Sequence, residues 1–397
     1  MSQIKTVLIA GGGYAGIIAA NRLVRKNLPI NVVLITVHEK FQERIRNHQL
    51  LAGTLKNTYT VRSLLHKKVK LIIGRIEKIE KQNKQLLLED KSILSYDHLI
   101  YSLGVQGNIR SKNPETYVQI ADVNDSARMH DILLKNKSAK ITVLGAGLSG
   151  IETASELANE FPETKITIID SNRLGNGFSQ KAQNKIKDFL SKNNVKILEN
   201  YEVIKYTNDG LISTQGQKIK HDVCVLANGL SASEIGFLSG LRTNRKGQVH
   251  VNQFLEVEGN PEIIGAGDCV QVVSSGYDHL RMACATAIPM GIYAAERLVF
   301  QLGFSSKKGS RPFSLAYLGK NVSLGRRDGI IQESEPNDSP KEKIWTNRNA
   351  VWIKELICKF TILSFRLEKW FDFYFWKSFP ESGEKLKAEH WVTQSEK

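Results

Sequence analysis

Residues Thr6 to Gly16 read Thr-Val-Leu-Ile-Ala-Gly-Gly-Gly-Tyr-Ala-Gly, and this stretch decides the fold. An apolar run leads into a glycine-rich turn, small residues follow from Ile17 to Leu23, and a second apolar run covers Asn31 to Ile35. Buried parallel strands are continuous apolar runs of this kind, and a helix usually connects them. The order therefore predicts a strand, a turn, a helix and a second, parallel strand.

The glycine spacing in this turn is typical of a dinucleotide site. Gly11 lets the chain turn out of the strand, Gly13 lets the backbone approach a pyrophosphate, and Gly16 lets the helix pack on the sheet. The helix amino terminus adds free N–H donors for the phosphates. The second strand of such a unit usually ends in an acid that holds a ribose. Here that position is Thr36, whose hydroxyl offers a weaker hydrogen bond.

A second copy of this arrangement follows later in the chain. Residues Ile141 to Gly150 read Ile-Thr-Val-Leu-Gly-Ala-Gly-Leu-Ser-Gly, and Gly145, Gly147 and Gly150 have the same spacing. Its second strand does end in an acid, Asp170. A carboxylate there accepts hydrogen bonds from a ribose 2′-hydroxyl and repels a 2′-phosphate. We therefore expect NADH to be preferred to NADPH at this second site.

Three further motifs complete a family pattern. Two apolar strands end in turns at Leu103-Gly104 and Asn228-Gly229, and a late run reads Gly265-Ala266-Gly267-Asp268. With the two glycine loops, these motifs resemble the two-dinucleotide-binding flavoprotein superfamily. That superfamily includes glutathione reductase, ferredoxin reductases and type II NADH dehydrogenases, and the last are the most similar. The resemblance implies that the first unit binds FAD, with Asp268 on the flavin ribitol, and that the second binds the nicotinamide nucleotide.

The same resemblance implies an α/β fold with two Rossmann-like dinucleotide-binding domains. An FAD domain is expected from residues 1–108 and 254–310, with an NAD(P)H domain inserted at 109–253. The cofactor-binding glycines are then Gly11, Gly13, Gly16, Gly104 and Gly267 for FAD, and Gly145, Gly147, Gly150 and Gly229 for NADH. Residues 311–397 form a carboxy-terminal interface region.

The cysteines restrict the reaction. The chain has four, and none are spaced as CxxC or CxxxxC: Cys224, Cys269, Cys284 and Cys358. A disulfide framework or a zinc site is therefore not expected. By resemblance, disulfide reductases carry a CxxxxC pair near Phe41 to Gly53, where this chain has no cysteine. Electrons are therefore expected to leave the flavin directly for an acceptor.

Several polar residues are candidates for the chemistry, each with a structural alternative. By resemblance Glu152 lies near the nicotinamide; alternatively it caps or pairs with a helix. Arg44, Arg46 and His48 line the flavin cleft or form a charged helix face. The quinone motif of type II enzymes, Ala-Gln-x-Ala, falls where this chain has alanine in place of glutamine, at Ala285.

The carboxy-terminal segment predicts an amphipathic helix. Its large apolar residues recur at helical spacing: Ile353, Leu356, Ile357, Phe360, Leu363, Leu367, Trp370, Phe371 and Tyr374. An aromatic-rich helix with basic neighbours, in a chain of net charge +15, favours a membrane interface. The alternative is a helix packed on its own domain or across a homodimer. An acidic, proline-containing stretch before it, residues 332–342, is expected to be a loop.

These features predict an FAD-dependent oxidoreductase that takes a hydride from NADH and reduces a quinone-like acceptor. We expect it to be cytoplasmic and peripheral on the inner face of the cell membrane. A second hypothesis is a soluble NAD(P)H oxidoreductase that reduces a ferredoxin- or rubredoxin-type protein or a small organic acceptor. A third is a binding protein resembling apoptosis-inducing factor, with nucleic acid as the partner. The third is disfavoured because no basic run interleaved with aromatic residues occurs outside the tail.

Overall fold

The protein is an α/β structure with two mainly parallel sheets, described by a computed structural model for residues 4–55, 58–107 and 115–379. This confirms the expected fold class of two Rossmann-like units. The helices are α1 Tyr14–Arg25, a 3₁₀ turn at Arg44–Arg46, α2 Asn47–Ala52, α3 Val61–Leu64, α4 Val123–Lys135, α5 Leu148–Glu160, α6 Gln180–Lys192, α7 Ile235–Leu238, α8 Cys284–Gln301 and α9 Asn347–Glu368.

The strands are β1 Lys5–Ala10, β2 Ile30–Thr36, β3 Lys70–Ile73, β4 Ile76–Glu80, β5 Gln85–Leu88, β6 Ile93–Ser95, β7 His98–Tyr101, β8 Val105–Gly107, β9 Tyr117–Gln119, β10 Lys140–Leu144, β11 Lys165–Ile169, β12 Lys196–Leu198, β13 Val203–Thr207, β14 Gly210–Ser213, β15 Lys218–Lys220, β16 Val223–Leu226, β17 Leu230–Ala232, β18 Val249–Val251, β19 Glu256–Val257, β20 Asn260–Gly265, β21 Val270–Val272, β22 Gly319–Leu324, β23 Asp328–Ser334 and β24 Pro340–Thr346.

The first parallel sheet is built around β1. It has the order β21-β18-β19-β20-β7-β1-β2-β3, and β1 pairs in parallel with both β2 and β7. The second has the order β12-β11-β10-β16-β9, with β10 parallel to both β11 and β16. In each sheet the strand that precedes a glycine loop lies between two parallel neighbours. Both loops therefore lie at the carboxyl edge of a sheet, where open α/β sheets bind ligands.

A two-stranded ribbon links the two sheets. Strand β8 leaves the first sheet and pairs antiparallel with β17, which brings the chain back. Strand β18, from inside the range 109–253, belongs to the first sheet. The ribbon makes the second sheet an insertion in the first.

The carboxy-terminal region packs on both units. Val322 and Ile330 of its small sheet belong to the hydrophobic core of the second unit, whereas Ile362 and Phe365 of α9 belong to that of the first. Because this region touches both cores, it brings α9 close to side chains of each unit.

The stretch 332–342 is a hairpin, so the prediction of a loop is right only for residues 335–339 between its strands. β23 continues to Ser334, and β24 begins at Pro340. Proline is tolerated at the first residue of a strand because its missing N–H leaves no ladder bond unmade there. Lysine–glutamate pairs lie along this hairpin at 2.7 Å (Lys343 Nζ–Glu333 Oε1) and 3.3 Å (Lys341 Nζ–Glu335 Oε1), which accounts for the charges that suggested a linker.

The amphipathic helix predicted in the tail is present, and its buried side carries polar residues alongside Val351, Ile362 and Phe365. Residues buried on α9 include Lys354, Cys358, Thr361, Ser364 and Glu368. Large apolar side chains of α9 and the segment after it are exposed: Trp352, Ile353, Leu356, Ile357, Leu363, Trp370, Phe371 and Phe375. The helix therefore packs on its own domain and also presents an apolar face outward.

Candidate active site

The first glycine loop leaves no room for side chains at Gly11 and Gly16, two of the three glycines of its motif. Gly11 has φ +115°, and a Cβ there would lie 2.2 Å from the Ser102 carbonyl oxygen. A Cβ on Gly16 would lie 1.9 Å from the Gly11 carbonyl oxygen. At Gly13, the residue before α1, a Cβ would meet nothing within 4 Å. Gly13 therefore faces open space at the amino terminus of α1, where backbone N–H groups are available to an anion.

Helices α1 and α8 begin side by side. A Cβ on Gly291 of α8 would lie 2.4 Å from the Ala15 carbonyl oxygen, so the two helices are in backbone contact. A Cβ on Gly267 would lie 3.3 Å from that of Ala15 and 3.5 Å from that of Ala287. The Gly267-Asp268 turn is thus held between the two helix amino termini, whose partial positive charges favour a bound anion.

Asp268 has a carboxylate oxygen with unmet hydrogen-bonding capacity. Its Oδ1 is buried and has no hydrogen-bond partner among the described residues. Burial raises the pKa of Asp268 to about 6, and the nearby Arg44 opposes this rise. A buried, unpaired acceptor is costly unless a ligand group donates to it. Thr36, at the end of β2, lies beside Gly12 on the other side of this loop.

The second glycine loop repeats the first. Gly145 has φ +109°, a Cβ on Gly150 would lie 1.8 Å from the Gly145 carbonyl oxygen, and Gly147 faces open space before α5. The Asp170 carboxylate accepts from the Ala146 N–H at 2.6 Å and from the Asn172 N–H at 2.7 Å. These bonds hold Asp170 at the loop and leave each of its oxygens a further lone pair.

Gly104 and Gly229 close the turns that follow β7 and β16. Both have positive φ, +71° and +72°. A Cβ on Gly104 would meet nothing within 4 Å, so the backbone there is open. The two residues flank the β8–β17 ribbon on the way out of the first sheet and on the way back.

Glu152 lies in a buried polar cluster and does not cap a helix. Its Oε1 pairs with the ammonium of Lys354 on α9 and accepts from the Ser323 N–H at 3.0 Å. Lys354 Nζ also donates to Ser323 Oγ at 3.1 Å. Lys354 is only 5% exposed and Glu152 7%. Burial lowers the pKa of Lys354 to about 8, which brings it close to physiological pH.

His48 brings a third titratable group to this cluster. Its Nδ1 lies 3.5 Å from Glu152 Oε2, the oxygen on the side away from Lys354. Burial, with the positive charges of Lys354, Arg326 and Arg46, holds the pKa of His48 well below its usual value. His48 is therefore neutral at physiological pH. Arg44, Arg46 and His48 are the residues predicted to line the flavin cleft. Of these three, His48 is the one whose side chain lies next to Glu152.

A second layer of charges surrounds the cluster. Glu355 of α9 pairs with Arg46 (Oε2–Nη2, 2.9 Å) and with Arg326 (Oε1–Nη2, 2.6 Å). These bonds lower the pKa of Glu355 to about 2 in spite of its partial burial. Arg46 is therefore a buried ion-pair partner and does not lie on an exposed, charged helix face. Arg44, the third residue of that set, donates to the Val105 carbonyl oxygen at 2.9 Å.

A family model for pyridine nucleotide-disulphide oxidoreductases matches residues 5–291. The chain belongs to this family. It is therefore an oxidoreductase of the FAD- and NADH-using superfamily, as its motifs predicted.

This pyridine nucleotide oxidoreductase is also similar to individual proteins over most of its length. It is 27% identical to mouse (Mus musculus) ferroptosis suppressor protein 1 over 352 residues, covering 83% of this chain and 88% of the relative. It is 24% identical to the type II NADH:quinone oxidoreductase of Staphylococcus saprophyticus, covering 82% and 89%. The structure of NDH2 from Plasmodium falciparum in complex with NADH matches with a TM-score of 0.76 at 17% identity, covering 93% and 99%.

The site of this oxidoreductase fits both dinucleotides. Open backbone at Gly13 and Gly147, each before a helix, suits two pyrophosphates, and the unpartnered Asp268 oxygen suits a hydroxyl donor. When bound, FAD and NADH together supply the hydride chemistry, while the protein supplies placement and protons.

The disulphide chemistry in the family's name has no counterpart in the described residues. All four cysteines are free thiols. Burial raises the pKa of Cys269 and Cys284 to about 12, which disfavours the reactive thiolate. At the quinone-motif position, Thr286 Oγ1 donates to the Arg281 carbonyl oxygen at 2.7 Å and contacts the Tyr317 hydroxyl at 2.5 Å.

Sequence reasoning missed Lys354 and Ser323 as site residues. In the sequence, Lys354 is one of the basic residues of the predicted amphipathic helix. The available signal was its position between Ile353 and Leu356 on a helix whose apolar residues outnumber its polar ones. That pattern does not reveal that Lys354 faces inward, because this depends on contact between α9 and α5.

Proposed function

We propose that the protein is an NADH dehydrogenase that passes electrons from NADH, through FAD, to a quinone at a membrane surface. The observation that carries this proposal is the buried Lys354–Glu152 pair, which lies next to the second glycine loop. Glu152 begins the second turn of the helix that Gly147 opens. The similarity to a type II NADH:quinone oxidoreductase and to ferroptosis suppressor protein 1 supports the same reaction class.

The proton balance connects this pair to a quinone. NADH supplies a hydride, whereas a quinol carries one proton more than that hydride brings. That extra proton comes from the protein and, in turn, from water. A one-electron iron–sulfur acceptor needs no such proton. A buried acid–base pair is therefore more useful to a quinone reductase than to a ferredoxin reductase.

The chemistry of Lys354 suits this role. A buried lysine with a pKa near 8 is mostly charged at pH 7 and gives up its proton at little cost. Glu152 holds the lysine ammonium in place, and the Ser323 N–H and hydroxyl hold both partners. We call Glu152, Lys354 and Ser323 together the proton store, because they hold one exchangeable proton. All three side chains are buried and have little contact with bulk solvent.

We propose these cofactor contacts for the predicted site residues. The FAD pyrophosphate lies on Gly11, Gly13 and Gly16, with Thr36 near its ribose and Asp268 on the ribitol. The NADH pyrophosphate lies on Gly145, Gly147 and Gly150, with Asp170 on its ribose. Gly104, Gly229 and Gly267 keep the backbone close to the cofactors. The open space at Gly13, Gly104 and Gly147 supports this arrangement.

The outward face of α9 supports the membrane part of the proposal. Trp352 and Trp370 are 66% and 68% exposed, and Leu356 is 52% exposed. Contiguous exposed apolar residues mark a membrane or protein interaction site. Among the described residues, no helix is long and apolar enough to cross a bilayer. An amphipathic helix that lies in the interface plane fits this face.

The test is anaerobic reduction of the FAD-loaded protein with NADH, followed by mixing with a short-chain quinone or with a ferredoxin. We expect NADH to bleach the flavin absorbance and the quinone to restore it faster than oxygen does. Restoration by the ferredoxin alone would replace this proposal with the soluble reductase. That second candidate is favoured by one observation, the alanine at Ala285 in place of the quinone-motif glutamine.

A further inference from the structure

Helix α2 and the residue before it carry a run of buried polar side chains. Arg46, Asn47, His48 and Gln49 are each 9% exposed or less. Burial of polar groups is costly unless each one has a partner. The segment occupies the region where disulfide reductases of the superfamily carry their cysteine pair, so its side chains require an explanation.

Three of these four side chains have structural partners. Asn47 Nδ2 donates to the Ile120 carbonyl oxygen at 2.8 Å. Gln49 Nε2 donates to Glu355 Oε1 at 3.2 Å, and Arg46 pairs with the same carboxylate. Structural needs therefore explain Arg46, Asn47 and Gln49.

His48 is different because one side of its ring is unsatisfied. Its Nδ1 faces Glu152 Oε2 at 3.5 Å, while its Nε2 is buried and has no hydrogen-bond partner among the described residues. A histidine that served only to fill space would be replaced by an apolar residue at less cost. The free nitrogen points instead to a group that exchanges a proton during turnover.

We propose that His48 is a proton-relay residue that connects the Glu152–Lys354 pair to the electron acceptor. This inference rests on the proposed quinone reductase function and names the path of its proton. The neutral ring accepts a proton from Glu152 at Nδ1 as it releases one from Nε2 to an oxygen of the acceptor.

The relay balances over one turnover. A proton passes from the Lys354 ammonium to the Glu152 carboxylate, and then from Glu152 to His48 Nδ1. The N–H bond at Nε2 breaks as an O–H bond forms on the acceptor. Glu152 ends as it began, whereas Lys354 is left as a neutral amine and His48 carries its remaining proton on Nδ1 in place of Nε2. Proton uptake by Lys354 from water, and exchange with water that returns the His48 proton from Nδ1 to Nε2, restore the starting state before the next turnover.

The surrounding charges favour this path over a charged histidine. Lys354 of α9, Arg326 between β22 and β23, and Arg46 beside α2 all place positive charge near the ring, and the Glu152 carboxylate faces its Nδ1. A stable imidazolium is disfavoured in that field. Passing a proton through a neutral ring avoids that state. The 3.5 Å separation is long for a hydrogen bond, so the two groups are close neighbours, and the ring or the carboxylate moves by a few tenths of an ångström for the proton to pass.

Two variants distinguish whether His48 transfers a proton or only holds Glu152 in position. His48→Asn keeps a side-chain amide close to the position of Nδ1, so Glu152 retains a neighbour, but it cannot relay a proton. His48→Leu removes both functions. Flavin content and thermal unfolding of each variant show whether it is folded and loaded.

The experiment compares two acceptors for wild type and both variants under saturating NADH. Ferricyanide accepts electrons without protons, whereas a short-chain quinone needs both. We expect His48→Asn to lower kcat with the quinone by about 100-fold, the lower end of the effect of a general acid–base group. Its ferricyanide rate and its KM for NADH should stay within about twofold of wild type.

Three outcomes decide the matter. Equal losses with both acceptors, or full quinone activity in His48→Asn, overturn the relay while leaving the quinone reductase intact. A wild-type protein that reduces ferricyanide and no quinone defeats the proposed function itself. Histidine-side-chain NMR gives a readout apart from activity: the His48 signals, assigned by their loss in His48→Asn, should not titrate from pH 5.5 to 8 if the ring stays neutral.

Discussion

Asn21 and Phe365 are joined by a hydrogen bond at 2.9 Å, from the Asn21 side-chain amide to the Phe365 carbonyl oxygen. The same amide donates to the Leu64 carbonyl oxygen at 2.9 Å, and its oxygen accepts from the His66 N–H at 2.8 Å. Asn21 is fully buried. The Asn21 side chain of α1 thus attaches the carboxy-terminal part of α9 to the first unit. Lys354 lies on the same helix, so this attachment also helps to position Lys354.

Replacing Asn21 should loosen this attachment. Asn21→Ala leaves buried backbone carbonyls without donors, so we expect the free energy of unfolding to fall by about 2 kcal/mol. Urea unfolding measures the change. The exposed Asn184→Ala on α6 is the control and should stay within about 0.5 kcal/mol of wild type. A loss of the same size in both would mean that Asn21 is no special anchor.

Quinone turnover should depend on pH through Lys354. The folded pKa lies near 8, below the ordinary lysine value of 10.5, so the proton store empties as pH rises through about 8. We expect kcat with quinone to fall above that pH, while the ferricyanide rate does not. Lys354→Gln should remove this alkaline limb and lower the quinone rate by about 100-fold. If kcat with quinone still falls above pH 8 in Lys354→Gln, another group is responsible for that fall.

Asp268 should control flavin retention. Its unpartnered oxygen gains a donor only when a ligand binds, so Asp268→Ala removes an acceptor and should weaken FAD binding by about tenfold or more. The ratio of flavin absorbance to protein after gel filtration measures this. Asp278→Ala, which alters a carboxylate in the loop between β21 and α8, is the control. Equal flavin content in all three proteins would contradict the ribitol contact.

Asp170 should select NADH. Asp170→Ser removes the charge that repels a 2′-phosphate but retains a hydroxyl, so the ratio of kcat/KM for NADH to that for NADPH should fall by at least about tenfold. Steady-state reduction of ferricyanide reads this out without reference to the natural acceptor. An unaltered ratio would place the ribose elsewhere.

The exposed face of α9 should bind lipid. The double variant Trp352→Glu/Leu356→Glu places charges on this face and should abolish cosedimentation with anionic vesicles. Phe237→Glu is the matched control, because Phe237 of α7 is 67% exposed and lies on another part of the surface. Equal loss in the control, or none in the double variant, would refute a specific membrane face.

The sequence specified the framework well because its signals are local. Each glycine loop is a strand, a turn and a helix within one short stretch, and the positive φ values at Gly11 and Gly145 are what such turns require. The linker prediction at residues 332–342 failed at both ends of the stretch because charge and proline outweighed a strand pattern that only pairing with β22 makes visible. The contacts of Glu152 also lay beyond sequence reasoning. They join α5, α2 and α9, and no spacing rule relates residues 48, 152 and 354.

Lys354 and the outward apolar face belong to the same helix, so the proposed membrane contact would lie on the element that carries the proposed proton donor. Anionic headgroups carry a potential of about −30 mV and concentrate protons next to the bilayer. That potential lowers the local pH by about half a unit relative to bulk, since a tenfold change corresponds to about 59 mV. An enzyme seated on such a bilayer would keep its lysine charged to a correspondingly higher bulk pH. The lipid composition would then set the bulk pH at which the quinone activity declines.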